Sequence, residues 1–150
     1  MQRDYETLKI ASYEHWTVYV HESQYFLGRC YIWSKRPGLV DLTDTTTKEW
    51  DELKTIGQEI KGALTRTFSP DFFNWAALGN VSPQCHLHLI PRYASPRTFT
   101  GHTFTDRLWG ANYASYDKSF VVDDPVLFAI RDAVTNALST AKGGADGALD

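Results

Sequence analysis

The chain has 150 residues, 43% of them hydrophobic and 22% charged, with a formal net charge of −3. That length supports one globular domain with a real core and is short for two. The negative balance argues against a general nucleic-acid binder, which needs a basic surface for counterion release, although local positive charge can still receive a small anion.

Residues 1–6 are charged and lack an apolar core, so no secretory leader is evident. No run approaches the roughly 20 apolar residues of a membrane span, and the expected location is the cytoplasm. Residues 15–21 and 26–33 are β-branched and aromatic runs separated by Glu22, Ser23 and Gln24. They read as an antiparallel pair of strands. Gly28 within the second run marks a bulge or a close backbone approach. Cys30 and Cys85 are the only cysteines, each inside a predicted strand, which suits reduced core thiols rather than a disulfide framework.

Residues 34–45 read as loop, with Lys35-Arg36-Pro37-Gly38 as a turn. Thr46 and Glu49 form a capping box that opens a helix over 46–67. Its core stripe is expected at Trp50, Leu53, Ile56, Ile60 and Leu64, spaced by three and four. Ser69-Pro70-Asp71 breaks it, and residues 72–78 follow as a strand into a Gly79-Asn80 turn.

The stretch 84–93 (Gln-Cys-His-Leu-His-Leu-Ile-Pro-Arg-Tyr) alternates polar and apolar positions and reads as a half-buried strand. Gln84, His86 and His88 share one face, while Cys85, Leu87 and Leu89 face the core. Two strand histidines on one face fit a metal site needing a third ligand, with His102 or a carboxylate as the candidate. They also fit a nucleophilic imidazole with orienting neighbours, or a merely solvated polar face. The turn before the strand brings Asn74, Asn80 and Gln84 toward His86 as neutral donors suited to phosphate oxygens.

Residues 94–123 show no clear periodicity, yet Phe99, Phe104, Trp109, Tyr113 and Tyr116 argue against disorder. These rings fit a cover over the site, a stack for a base, or packing against a second subunit. Lys35, Arg92, Arg97 and Arg107 are candidates for local positive charge. Asp124-Pro125 starts a helix, with Asp124 as N-cap, running to about residue 141. One domain over 1–141 and a flexible tail over 142–150 complete the expected organisation.

The string from Asn74 to Arg92 resembles the histidine triad (HIT) superfamily of nucleotide hydrolases and transferases, whose hallmark is His-φ-His-φ-His-φ-φ with φ apolar. His88-Leu89-Ile90-Pro91-Arg92 matches the third histidine and its sequel, His86 the middle histidine, Gln84 the first, and Gly79-Asn80 the upstream pair. Gln84 departs from the hallmark, in a pattern similar to a bacterial branch with Gln-φ-His-φ-His. With Gly28-Arg29-Cys30 and Trp109-Gly110, the resemblance covers roughly residues 15–112. The Cys-x-x-Cys zinc motif of some relatives is missing.

The resemblance implies an α+β fold: an antiparallel sheet of four or five strands packed by one long helix, with a C-terminal helix at one side. It implies diadenosine polyphosphate hydrolase-like chemistry, in which His86 attacks the α-phosphorus and His88 and Gln84 hold phosphoryl oxygens. Asn74, Gly79, Asn80, His21 and Trp109 are the nucleotide-binding candidates. His21, Glu22 and Ser23 compete as the ribose contact, and Val81 stands where some relatives carry a phosphate-binding hydroxyl. No tightly bound cofactor is implied, Mg²⁺ accompanies a polyphosphate substrate, and the partner is a second copy in a homodimer.

Overall fold

The structure is a computed structural model that describes residues 2–146. Strands β1 (Lys9–Ser12), β2 (Trp16–Val20) and β3 (Cys30–Ser34) lead to helix α1 (Thr47–Phe68). Strands β4 (Phe72–Ala76) and β5 (His86–Arg92) follow, then the hairpin β6 (Arg97–Phe99) and β7 (His102–Phe104), and last helix α2 (Asp124–Asp146). β1 to β5 form one antiparallel sheet in the order β1-β2-β3-β5-β4, and β6 pairs only with β7. The α+β architecture with five strands and two helices agrees with the sequence expectation. No described helix is long and apolar enough to cross a membrane.

Alternation decides which face of the sheet is core. Val18, Ile32 and Leu87 share one row across β2, β3 and β5, and Val20, Cys30 and Leu89 share another. These side chains are buried with Leu53, Ile56, Ile60, Ala63 and Leu64 of α1. The opposite face keeps Tyr31, Trp33, His86 and His88. Cys30 and Cys85 are buried free thiols, and burial pushes the Cys30 thiol up to about 12.

The capping box forms: the Thr46 hydroxyl accepts from the Glu49 N–H, and the Glu49 carboxylate accepts from the Thr46 N–H, both at 3.1 Å. Such a cap stabilises a helix by about 1 kcal/mol. Trp50, expected in the core stripe, is instead 50% exposed. The buried stripe is phased through Glu49, Leu53, Ile56, Ile60 and Leu64, which leaves position 50 on the flank. Glu49 tolerates burial because Arg36 Nε donates to it at 2.7 Å.

The strand expected over 26–33 begins only at Cys30. Gly28 takes φ +85°, and a Cβ there would lie 2.8 Å from Leu64 Cδ2, so the close approach anticipated at this glycine is real. The N-cap of α2 is Asp123, one residue before the expected Asp124: its carboxylate accepts from the Val126 N–H at 3.1 Å. The helix also continues past residue 141, through Gly143 and Gly144, to Asp146. The remainder of the expected tail, 147–150, lies outside the described residues. The aperiodic stretch 94–123 contains the short β6–β7 hairpin and a 3₁₀ turn at Tyr113–Ser115.

Candidate functional site

On the face opposite α1, the register of the central seam stacks aromatic rings against the two histidines. Trp33 pairs with His86 and Tyr31 with His88. The Trp33 indole lies flat on the His86 ring, with centroids 4.0 Å apart and 7° between planes. Tyr31 stands 5.0 Å from His88, and the two imidazoles are 5.3 Å apart. His21, just beyond β2, closes the group at 5.7 Å from His88 and 4.2 Å from Tyr31.

Hydrogen-bond partners assign each ring its tautomer. His86 Nδ1 lies 2.8 Å from the main-chain oxygen of Gln84, which can only accept, so Nδ1 carries the proton and Nε2 the lone pair. His88 Nδ1 lies 3.1 Å from Arg29 Nη2, which can only donate, so His88 carries its proton on Nε2. His21 Nδ1 accepts from the Ser23 N–H at 2.8 Å and is likewise an Nε2–H donor. Neighbouring rings thus present one lone pair and two N–H groups.

Charge follows the same logic. Burial, then the Arg29 and His86 charges, pushes His88 down to about 4. Burial, then Arg29 and His88, pushes His21 to about 2. Both rings are neutral near pH 7. The Glu22 carboxylate sits 3.6 Å from His21 Nδ1, yet it forms no ion pair with a neutral ring whose lone pair already receives the Ser23 N–H. Glu22 instead accepts from the Tyr31 hydroxyl at 3.0 Å.

The other candidates from the sequence are not all brought to the histidines. Gln84 donates its side-chain N–H to the main-chain oxygen of Ser34. Asn74 sits opposite Ile90, where its Oδ1 accepts from Arg92 Nη1 at 2.8 Å, so it is drawn to Arg92 rather than to His86. Asn80 and Val81 are exposed on the β4–β5 loop, and Gly79 turns that loop with φ +64°. Trp109 is 46% exposed. With Asn74, Arg92, Gly110, Tyr113 and Phe72 it lines an open cavity of about 670 Å³ that neither His86 nor His88 touches. The cavity therefore lies apart from the paired imidazoles.

Three of the four cations expected to supply a local field are bonded elsewhere. Arg92 is buried and pairs with Asp106 at 2.7 Å, and it also donates to Leu108 and Ala111 carbonyls. Arg97 braces Phe68, Ser69 and Asp71. Lys35 bonds to Ser12, and Arg107 is exposed. His102 is exposed on the β6–β7 hairpin, in register with Phe99. Among the described residues no group of three His, Cys, Asp or Glu side chains is arranged to hold a metal ion.

The cation at the site is Arg29, to which sequence reasoning assigned no role. Its signal was period two: Arg29, Tyr31 and Trp33 alternate with the core residues Cys30 and Ile32. Buried Gln24 sets its position, since Gln24 Nε2 donates to the main-chain oxygens of His21 at 2.7 Å and Arg29 at 3.0 Å, and its Oε1 accepts from the Gly28 N–H at 2.7 Å. One amide thereby fixes the loop that carries both His21 and Arg29.

Comparison with known proteins agrees with this architecture. A histidine triad protein from Sinorhizobium meliloti 1021 superposes with TM-score 0.72 at 14% identity, covering 87% of this chain and 88% of that one. Histidine triad protein blr8122 from Bradyrhizobium japonicum gives 0.71 at 21% identity, covering 87% and 89%. One from Marinobacter aquaeolei VT8 gives 0.72 at 17% identity, covering 88% of each chain. At such identities the likeness is one of fold. No protein of curated function matches the sequence. The HIT domain family matches residues 4–95, well over half of the chain, and with the fold and the paired histidines of β5 this places the protein in the HIT family.

Proposed function

We propose that the protein is a nucleotide hydrolase or nucleotidyl transferase that cleaves at the α-phosphate of a nucleotide conjugate through a covalent nucleotidyl-His86. The observation that carries the reading is the opposed pair of tautomers on β5. His86 Nε2 holds an in-plane lone pair, its ring clamped by Trp33 and by the Gln84 carbonyl. Beside it, His88 offers an Nε2–H donor.

In the first step His86 Nε2 forms a bond to the α-phosphorus, and the bond from phosphorus to the leaving group breaks, its electron pair departing with that group. The His88 N–H receives a non-bridging oxygen, where negative charge accumulates. Water then attacks the same phosphorus, the P–N bond breaks with its electron pair returning to His86 Nε2, and the mononucleotide leaves as the proton lost by the attacking water passes to solvent. Gln84 cannot donate a proton to the leaving group as an imidazolium would. Good leaving groups are therefore preferred, such as a polyphosphate whose charge is neutralised by Mg²⁺ entering with the substrate. Dinucleoside polyphosphates fit that requirement best. Glu22, part-exposed and bonded to the Tyr31 hydroxyl, and Ser23, whose buried hydroxyl has no hydrogen-bond partner, are both candidates for the ribose hydroxyls.

The same reading includes a homodimer and a cytoplasmic setting. β4 is a sheet edge, and it carries Phe72 at 60% and Trp75 at 41% exposure beside the half-exposed Trp50 of α1. An unpaired edge with exposed rings is a surface that a second copy covers. Light scattering should give a dimer mass for the wild type and a monomer mass for Trp75→Glu.

The catalytic test is chromatography of purified protein incubated with diadenosine tetraphosphate, diadenosine triphosphate and an adenosine phosphoramidate, with and without Mg²⁺, beside His86→Ala. AMP release fastest from the polyphosphates, and lost by at least about 10³-fold in the variant, is the expected result. Adenine nucleotides bound with no product from any substrate would instead leave a binding module without turnover. The tethering of Gln84 to Ser34 favours that second reading.

A further inference from the structure

Two arginines are buried to the same degree, each 4% exposed, and they are treated in opposite ways. Arg92 has the Asp106 carboxylate and every guanidinium nitrogen bonded. Arg29 has no carboxylate within ion-pair distance among the described residues. Its Nη2 meets His88 Nδ1, while Nε and Nη1 are buried with no hydrogen-bond partner. The Tyr116 and Tyr113 rings flank the group, with Cζ 5.2 and 5.7 Å from their centroids. A guanidinium stays protonated, and an uncompensated buried cation is costly to keep. Nothing in the packing of Arg29 compensates for it as Asp106 does for Arg92.

We propose that Arg29 is the positioning residue of this site: its Nη2–H pins His88 as the Nε2–H donor, and its unpaired charge is the counter-charge for the phosphoryl group received by the two histidines. The first half stands on geometry alone, and the second rests on the function proposed above. Arg29 acts on substrate through His88 and through its field. The groups facing His88 are Arg29 from the loop before β3, Tyr31 of β3 with Glu22 hydrogen-bonded to it, His86 of β5 and His21 after β2. Across β4 it faces only Ala76. Of these groups only the guanidinium can both donate to Nδ1 and remain charged at every accessible pH.

The test is long-range ¹H–¹⁵N correlation on the full chain labelled with ¹⁵N-histidine, from pH 8 to pH 4.5, for wild type, Arg29→Met and Arg29→Lys. It is joined by calorimetric titration with AMP. The expected wild-type spectrum has His88 as Nε2–H and His86 as Nδ1–H. In Arg29→Met, His88 should become a mixture of tautomers with a raised titration midpoint, AMP binding should weaken by at least about tenfold, and Tm should not fall. Arg29→Lys, which keeps the charge and one donor, should recover most of both. A His88 that is Nδ1–H in the wild type, or a spectrum indifferent to Arg29→Met, would overturn the proposal. So would an Arg29→Met protein that loses its fold, because a structural arginine behaves that way; the wild-type spectrum decides the tautomer even then. Because the spectra need no turnover, correct tautomers in a protein that cleaves nothing would uphold the positioning role and sink the enzymatic reading alone.

Discussion

At the scale of the residue, the site depends on imidazoles held neutral, and this couples chemistry to stability. His21 ordinarily titrates near 6.5 and in the fold only near about 2; His88 moves from the same value to about 4. Both folded values are depressed, so the unfolded chain binds more protons below pH 6.5. Stability is therefore complete above that pH and declines as pH falls through the window below it. For buried His21 the slope approaches about 1.4 kcal/mol per pH unit. Calorimetric Tm should fall from pH 7 to pH 4.5, and His21→Asn should flatten that decline. An equal slope in the variant would show that His21 is not the linked group.

Elements explain why the histidines meet at all. The β3–β5 register sets Trp33 on His86 and Tyr31 beside His88, and the loop from His21 to Arg29 delivers the remaining groups. That loop closes over α1 only where a residue without a side chain turns it. Gly28→Ala places a methyl against Leu64 and Phe68 at a φ of +85°. The expected cost is roughly 2–4 kcal/mol, a Tm lower by about 5–15 °C in thermal denaturation. A loss under about 1 kcal/mol would mean that the loop re-routes freely.

The elements also mark how far the sequence could be read. Period-two and period-three-to-four patterning found α1, its capping box, the central strands and the shared face of His86 and His88, because burial on one side imposes those periods directly. β1 escaped notice: Lys9–Ser12 is four residues long, and half of it is exposed. Asn74 and Arg92 were assigned by position, but Asn74 is held by Arg92, whose other partners come from residues 106–111, and nothing local encodes that contact. Arg29 lay in plain view in a strand-like run. Its importance rests on the lack of a nearby carboxylate, a property of three dimensions.

For the whole molecule, the sheet order β1-β2-β3-β5-β4 sets the two strands bearing the histidines and their aromatic partners in the interior, each bonded on both sides. The candidate contacts beyond them belong to an edge strand, the part-exposed 77–84 loop and the aperiodic 105–116 segment. The paired imidazoles and the candidate contact groups thus reside in parts of the fold with separate tolerances. Insertions and replacements along the edge and the two loops can accumulate while the hydrogen-bonded centre stays intact. A lineage built on this plan can change what its rim accepts while the paired imidazoles stay fixed, which makes the arrangement evolvable in ligand range and conservative at its centre.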